Sequence, residues 1–223
     1  MIESTIFRMT ALFGVFTLLG GCAVESASQA VVDAYRLIHS EGSAAQHELN
    51  PKLSYLRVQT GGREVFMALG YIDATPDGPV DVWYSAEADV LRLRDGRVAG
   101  AIMKTGTNWL TVSFSDLPRW DAVGHQAQFE RIRDVSPGYR YGIHEKMLIR
   151  LIEPPTDTQL KNISASSLVW FEETVQGGSD RPARYAVRLA SPGTQRVIYA
   201  EQCLSSEYCF SWQDWPNSSK GTH

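Results

Sequence analysis

Cysteine and histidine are scarce: three and five in a chain of 223 residues. The histidines, at 39, 47, 125, 144 and 223, show no metal-ligand spacing, so the sequence offers no metal site. His144-Glu145 starts like a zinc-protease motif, but Leu148 stands where the second histidine is required. Also missing are G-x-S-x-G, a Walker loop and G-x-G-x-x-G, so no catalytic residue and no cofactor is expected. Positive charge is not in excess. Lys and Arg number 21 against 25 Asp and Glu, a net charge of −4, which argues against a sequence-independent nucleic-acid binder. Hydrophobic residues at 43% and charged residues at 21% are the proportions of a globular protein rather than a disordered or collagenous one.

What is present begins at the N-terminus. Met9 to Gly21 is a 13-residue uncharged stretch rich in Leu, Phe and Val. As a helix it reaches about 20 Å, short of the roughly 30 Å hydrocarbon core, and suits a secretory h-region better than a membrane span. Leu19-Gly20-Gly21-Cys22 follows and resembles the bacterial lipobox. The cysteine requirement is chemical: its thiol accepts a diacylglycerol, and its amine, freed by cleavage, accepts another chain. Several acyl chains, at about 0.8 kcal/mol per buried methylene, anchor stably where one does not. Residues 1–21 read as a signal peptide and Cys22 as the lipidated residue. In enterobacterial-type lipoproteins Asp at the next position favours inner-membrane retention. Ala23 there implies, by resemblance to that rule, an outer-membrane address.

Lipidation uses Cys22 and leaves Cys203 and Cys209. An even remainder in an exported chain reads as a disulfide, and C-x5-C suits a structural bond better than a redox pair.

Ala27 to Ser40 has apolar residues at helical spacing (Val31, Tyr35, Ile38), so residues 22–52 read as anchor, helix and polar connector. From Leu53 the pattern alternates. Val80, Val82 and Tyr84 fall on one face of a strand, Asp81, Trp83 and Ser85 on the other. Asp95-Gly96, between Val90–Arg94 and Arg97–Met103, is a hairpin signature. Asp73 to Pro79 reads as a turn cluster, and Met147 to Ile152 fits either a strand or a short helix. The expectation is one all-β domain over residues 53–215, about ten antiparallel strands in a barrel or a sandwich, with one N-terminal helix and a flexible tail from 216.

Tyr55-Leu56-Arg57-Val58, Leu69-Gly70-Tyr71-Ile72-Asp73, Gly78-Pro79-Val80-Asp81-Val82-Trp83-Tyr84-Ser85, Val90-Leu91-Arg92-Leu93, Asp95-Gly96-Arg97 and Trp109 together resemble the YjbF/GfcB family of lipoproteins. The likeness covers the lipobox and most of the mature chain and is densest over 53–112. Its most specific part is the Gly-Pro-x-x-x-Trp-Tyr-Ser run. The resemblance implies an outer-membrane lipoprotein with a β-barrel-like fold, linked to exopolysaccharide or group-four capsule export, and not an enzyme. The implied partners are the membrane, through the N-terminal lipid, outer-membrane or periplasmic polysaccharide-export proteins, and the polysaccharide itself.

Asp81, Trp83 and Trp109 are the candidate ligand or partner surface, because aromatic rings stack on sugars and Trp83 shares its strand face with polar residues. Burial in the core is the competing reading. Two functions follow as expectations: a tethered, non-enzymatic accessory protein of polysaccharide secretion with its domain facing the periplasm, or a polysaccharide-binding or polysaccharide-modifying hydrolase.

Overall fold

The computed structural model describes residues 49–104, 106–191 and 194–216. The signal peptide, Cys22, the helix expected over 27–40 and the tail beyond Pro216 lie outside the described residues. Twelve strands run in chain order: β1 (Tyr55–Thr60), β2 (Arg63–Thr75), β3 (Gly78–Ser85), β4 (Val90–Arg94), β5 (Arg97–Ile102), β6 (Asn108–Ser115), β7 (Gln126–Ser136), β8 (Arg140–Ile152), β9 (Val169–Val175), β10 (Ala183–Ser191), β11 (Thr194–Cys203) and β12 (Cys209–Trp215). Each pairs antiparallel with its neighbour. β1 pairs with β12 from Tyr55↔Trp215 to Thr60↔Phe210, which closes the sheet into an up-and-down barrel.

Of the two architectures expected, the barrel is the one observed, because a closed sheet leaves no edge unpaired. Two expectations are corrected: the strands number twelve and not about ten, and the turn cluster is shorter than expected. The cluster from Asp73 to Pro79 is mostly ladder: Asp73 pairs with Val80, Ala74 with Pro79 and Thr75 with Gly78, leaving only Pro76-Asp77 to turn. Proline is tolerated there because it sits near a strand end, where a missing N–H costs little. Met147 to Ile152 is strand throughout, held between β7 and β9.

Strand alternation puts one face of every strand inside. Leu56, Met67, Trp83, Leu91, Phe129, Met147, Ile149, Phe171, Tyr185 and Phe210 belong to one buried cluster that fills the lumen. The outer face carries ion pairs such as Arg92–Asp73, Arg150–Glu172 and Arg184–Glu201. A membrane-spanning barrel shows the opposite pattern, apolar outside and polar within. The outer face is not all polar: Leu168, Trp170, Ala186, Ile198 and Tyr199 form a second, smaller buried cluster on it.

Both chain ends of the barrel, Tyr55 and Trp215, meet at one rim, here the terminal rim; the opposite rim is distal. Each is partly covered by a folded-in loop. At the terminal rim the β6–β7 connection carries Trp120 inward, against Phe171 and Tyr185 at ring separations of 5.3 and 5.0 Å. At the distal rim the β11–β12 hairpin bends over the opening. Its base is clamped by the Cys203–Cys209 disulfide across a directly opposed pair. Its Leu204 carbonyl accepts a hydrogen bond from Trp109 Nε1 at 3.0 Å. Residues 153–168, joining β8 to β9, form a strap on the outside. Its Gln159 carbonyl accepts from buried Arg57 at 2.9 Å, and Lys161 and Gln213 exchange two hydrogen bonds.

Two glycines are dictated by the packing. Gly70 sits at a bulge between β2 and β3, where a Cβ would lie 2.6 Å from the Tyr84 ring. Gly96, with Asp95 at φ 47° and itself at φ 78°, makes the hairpin turn that Asp-Gly favours. A Cβ on Gly96 would lie 2.3 Å from Val197 Cγ2. Gly96→Ala is therefore expected to cost about 2–3 kcal/mol, backbone strain plus overpacking. Gly62→Ala, also at φ 78° but in open space, isolates the strain and is expected to cost about 1 kcal/mol. Urea denaturation of the two variants checks the difference. Equal costs would show that the Val197 contact yields freely.

Candidate functional site

A cavity of about 440 Å³ opens at the distal rim. That is within the size range of small-ligand sites. Its lining is built by three features of the chain. β7 alternates Phe129, Arg131 and Arg133 inward, so two arginines follow the core phenylalanine toward the rim. β8 turns Glu145 inward beside them, in register with Arg131. The β7–β8 and β9–β10 ends then add Arg140 and Arg181, both exposed.

Glu145 is the hub. Arg131 Nε donates to it at 2.7 Å, and Arg133 donates through Nε at 3.0 Å and Nη2 at 2.7 Å. Burial pushes the Glu145 carboxyl up, but the hydrogen bonds and charges of Arg133 and Arg131 outweigh it and hold the group below the usual carboxylate range. The guanidinium planes of both arginines also lie over Trp109, 4.8 and 4.6 Å from its ring centre. Deeper in the lumen, Glu173 accepts from Arg97 Nε at 2.7 Å, a pair that reaches across the barrel from β9 to β5. Tyr185 donates to Gln202 at 3.0 Å.

Hydrogen-bonding capacity is left over. Among the described residues, the Arg131 side chain uses only Nε and that of Arg133 uses Nε and one Nη, while the side chains of Arg140 and Arg181 make no hydrogen bond. Positive charge is still in excess: with Glu173 matched by Arg97, the four arginines 131, 133, 140 and 181 face two carboxylates, Glu145 and Asp180, the latter also in the lining. Thr107, Ser179, Ser205 and Ser206 add hydroxyls to the wall.

A second cavity, about 230 Å³, opens at the terminal rim and contains Asp81, Trp83, Asp95, Arg196 and Trp212. Burial pushes the Asp81 carboxyl up against the opposing charge of Arg196, and burial raises Asp95 likewise against Arg97. The indole N–H groups of Trp83 and Trp212 are buried with no acceptor among the described residues.

The structure thus separates the three candidates. Asp81 and Trp83 share the terminal cavity, while Trp109 lies in the distal basin. Both tryptophans are buried, at 5% and 2% exposure, so neither ring is an open stacking platform. Trp109 is the floor on which two arginines rest. The arginine basin itself escaped the sequence reading. The signal was there, an R-x-R in Arg131-Ile-Arg133 paired with Glu145, but charged residues on a strand are ordinarily read as its solvent face. His144 and Glu145 point to opposite faces of β8, which disposes of the metalloprotease fragment. Among the described residues no cluster of His, Cys, Asp and Glu has the makings of a metal site.

No protein-family model matches the chain, and no curated protein sequence matches it. Among solved structures, the crystal structure of the hypothetical lipoprotein YmcC from Escherichia coli (K12) is similar, with a TM-score of 0.52 and 16% identity. The similarity covers 83% of this chain and 92% of that one. At that identity the likeness is one of fold.

Proposed function

We propose that this chain is a lipid-anchored, non-enzymatic accessory protein of exopolysaccharide or capsule secretion, held at the outer membrane through Cys22 with its barrel in the periplasm. The observation that carries the reading is the polarity of the barrel. The chain that leads back to Cys22 joins at the terminal rim, and the arginine basin opens at the distal one. A domain tethered by one end and open at the other suits a protein that meets a polymer or an envelope partner beside the membrane. Tethering raises effective concentration there without tight intrinsic affinity. The outward-facing charges of the barrel fit an aqueous compartment. The fold neighbour is itself described as a lipoprotein, in keeping with Leu19-Gly20-Gly21-Cys22. The family resemblance supplies the link to polysaccharide export. Glu145, pinned in its charged form by two arginines, is a poor proton donor, which favours binding over acid–base chemistry in the basin.

A second reading, a polysaccharide-modifying hydrolase, draws on the terminal cavity. Asp81 and Asp95 there are both raised by burial, as a general acid requires.

One experiment tests both. Loss of the gene is expected to lower surface or secreted polysaccharide. Cys22→Ala is expected to leave an unprocessed precursor, not labelled by palmitate, and to reproduce that loss, while Asp81→Asn leaves export intact. Full palmitate labelling of Cys22→Ala would remove the anchor. Loss of export in a folded Asp81→Asn protein, together with loss of a measurable glycan-cleaving activity, would establish the hydrolase instead.

A further inference from the structure

We infer that the distal basin is a binding site for the carboxylates of an acidic saccharide segment, an inference that rests on the secretion reading and names its ligand. Arg131 and Arg133 are fixed by Glu145 and by the Trp109 face, and their side chains are only 9% and 11% exposed. They are preorganised donors that lose little freedom when a ligand arrives. Both line the cavity with Arg140 and Arg181, and Asp180 is an acidic residue of the same lining. A guanidinium fork matches a planar carboxylate. Four arginines spread from floor to rim suit a ligand whose carboxylates repeat along a chain better than a single small anion. The hydroxyls of Thr107, Ser179, Ser205 and Ser206 and the Gln202 amide provide uncharged hydrogen-bonding groups between the charges, as sugar hydroxyls require. That last feature favours a saccharide over an acidic peptide.

The test is calorimetric titration of the full chain, purified from membranes in detergent, with tri-galacturonate, its methyl ester and an oligoglutamate peptide. Tri-galacturonate is expected to bind, more weakly as salt rises, and the neutral ester to bind at least tenfold more weakly. Arg140→Gln with Arg181→Gln, both at the exposed rim and outside the Glu145 network, is expected to weaken tri-galacturonate about tenfold or more while the thermal midpoint stays unchanged. Equal binding of acid and ester, no binding of the acid, or full affinity in the double variant would overturn the inference. Tighter binding of the peptide would overturn it in favour of an acidic protein partner. If gene loss lowers export and tri-galacturonate does not bind, the ligand is wrong and the secretion reading stands. Uronate binding with no export phenotype gives the reverse.

Discussion

Glu173→Gln is expected to lower the unfolding free energy by about 3–5 kcal/mol, the range for breaking a buried ion pair from one side. The pair it breaks lies in the middle of the lumen. Arg97 and Glu173 side chains are 1% and 2% exposed, and their 2.7 Å contact joins strands that are not neighbours in the sheet. The Arg97 guanidinium also lies 3.6 Å from the centre of the Trp120 ring. Its Nη1 and Nη2 make no hydrogen bond among the described residues, and Asp95 Oδ2 lies 3.6 Å from Nη1. Without the Glu173 charge, the arginine is left largely uncompensated in an apolar interior. At roughly 2–4 °C per kcal/mol for a domain of this size, the midpoint should fall by about 10 °C. Arg97→Met with Glu173→Leu removes both charges and keeps apolar volume, and it is expected to recover most of the loss. A single-variant cost under about 1 kcal/mol would mean that water reaches the pair.

The features visible in sequence and those hidden from it divide by range. Asp95-Gly96 was readable as a turn because its chemistry is local: both residues must take positive φ, and that pair does so at low cost. The split of β3 into Val80, Val82 and Tyr84 against Asp81, Trp83 and Ser85 was readable from alternation alone, and the second set is the inward one. The Cys203–Cys209 bond followed from parity and compartment. Closure was not readable. Pairing β1 with β12 joins the two ends of the domain, and no local pattern records it; the same alternation fits a sandwich. The inward charges were hidden for a related reason. Arg97 looks like a hairpin residue beside Asp95, and its partner Glu173 is far along the chain. Trp83 and Trp109 were grouped as one surface because both lie in or beside central strands. Trp109 instead starts its strand at the distal rim, while the cavity beside Trp83 opens at the terminal one.

Trp120→Ala is expected to cost about 3–5 kcal/mol, the usual range for emptying a buried tryptophan site. Trp120 belongs to a connection, not a strand, preceded by Leu117-Pro118 and flanked by Arg119 and Asp121. In the fold it is 1% exposed and stops the lumen from the terminal side. Three things hold it: the rings of Phe171 and Tyr185, the Arg97 guanidinium, and a 3.1 Å hydrogen bond from its Nε1 to the Asp95 carbonyl. Truncation leaves a void that the surrounding strands cannot fill, because a closed barrel has fixed circumference. It also strips the cation–π partner from Arg97, so the loss should couple to that of Glu173→Gln rather than add to it. Trp120→Phe keeps a ring and loses the hydrogen bond, and about 1–2 kcal/mol is expected. Urea unfolding of the two variants and of the Trp120→Ala/Glu173→Gln pair measures both the size and the coupling. A cost under 1 kcal/mol for Trp120→Ala would show that the loop opens independently of the barrel. Strict additivity with Glu173→Gln would show that the tryptophan does not help hold the buried arginine.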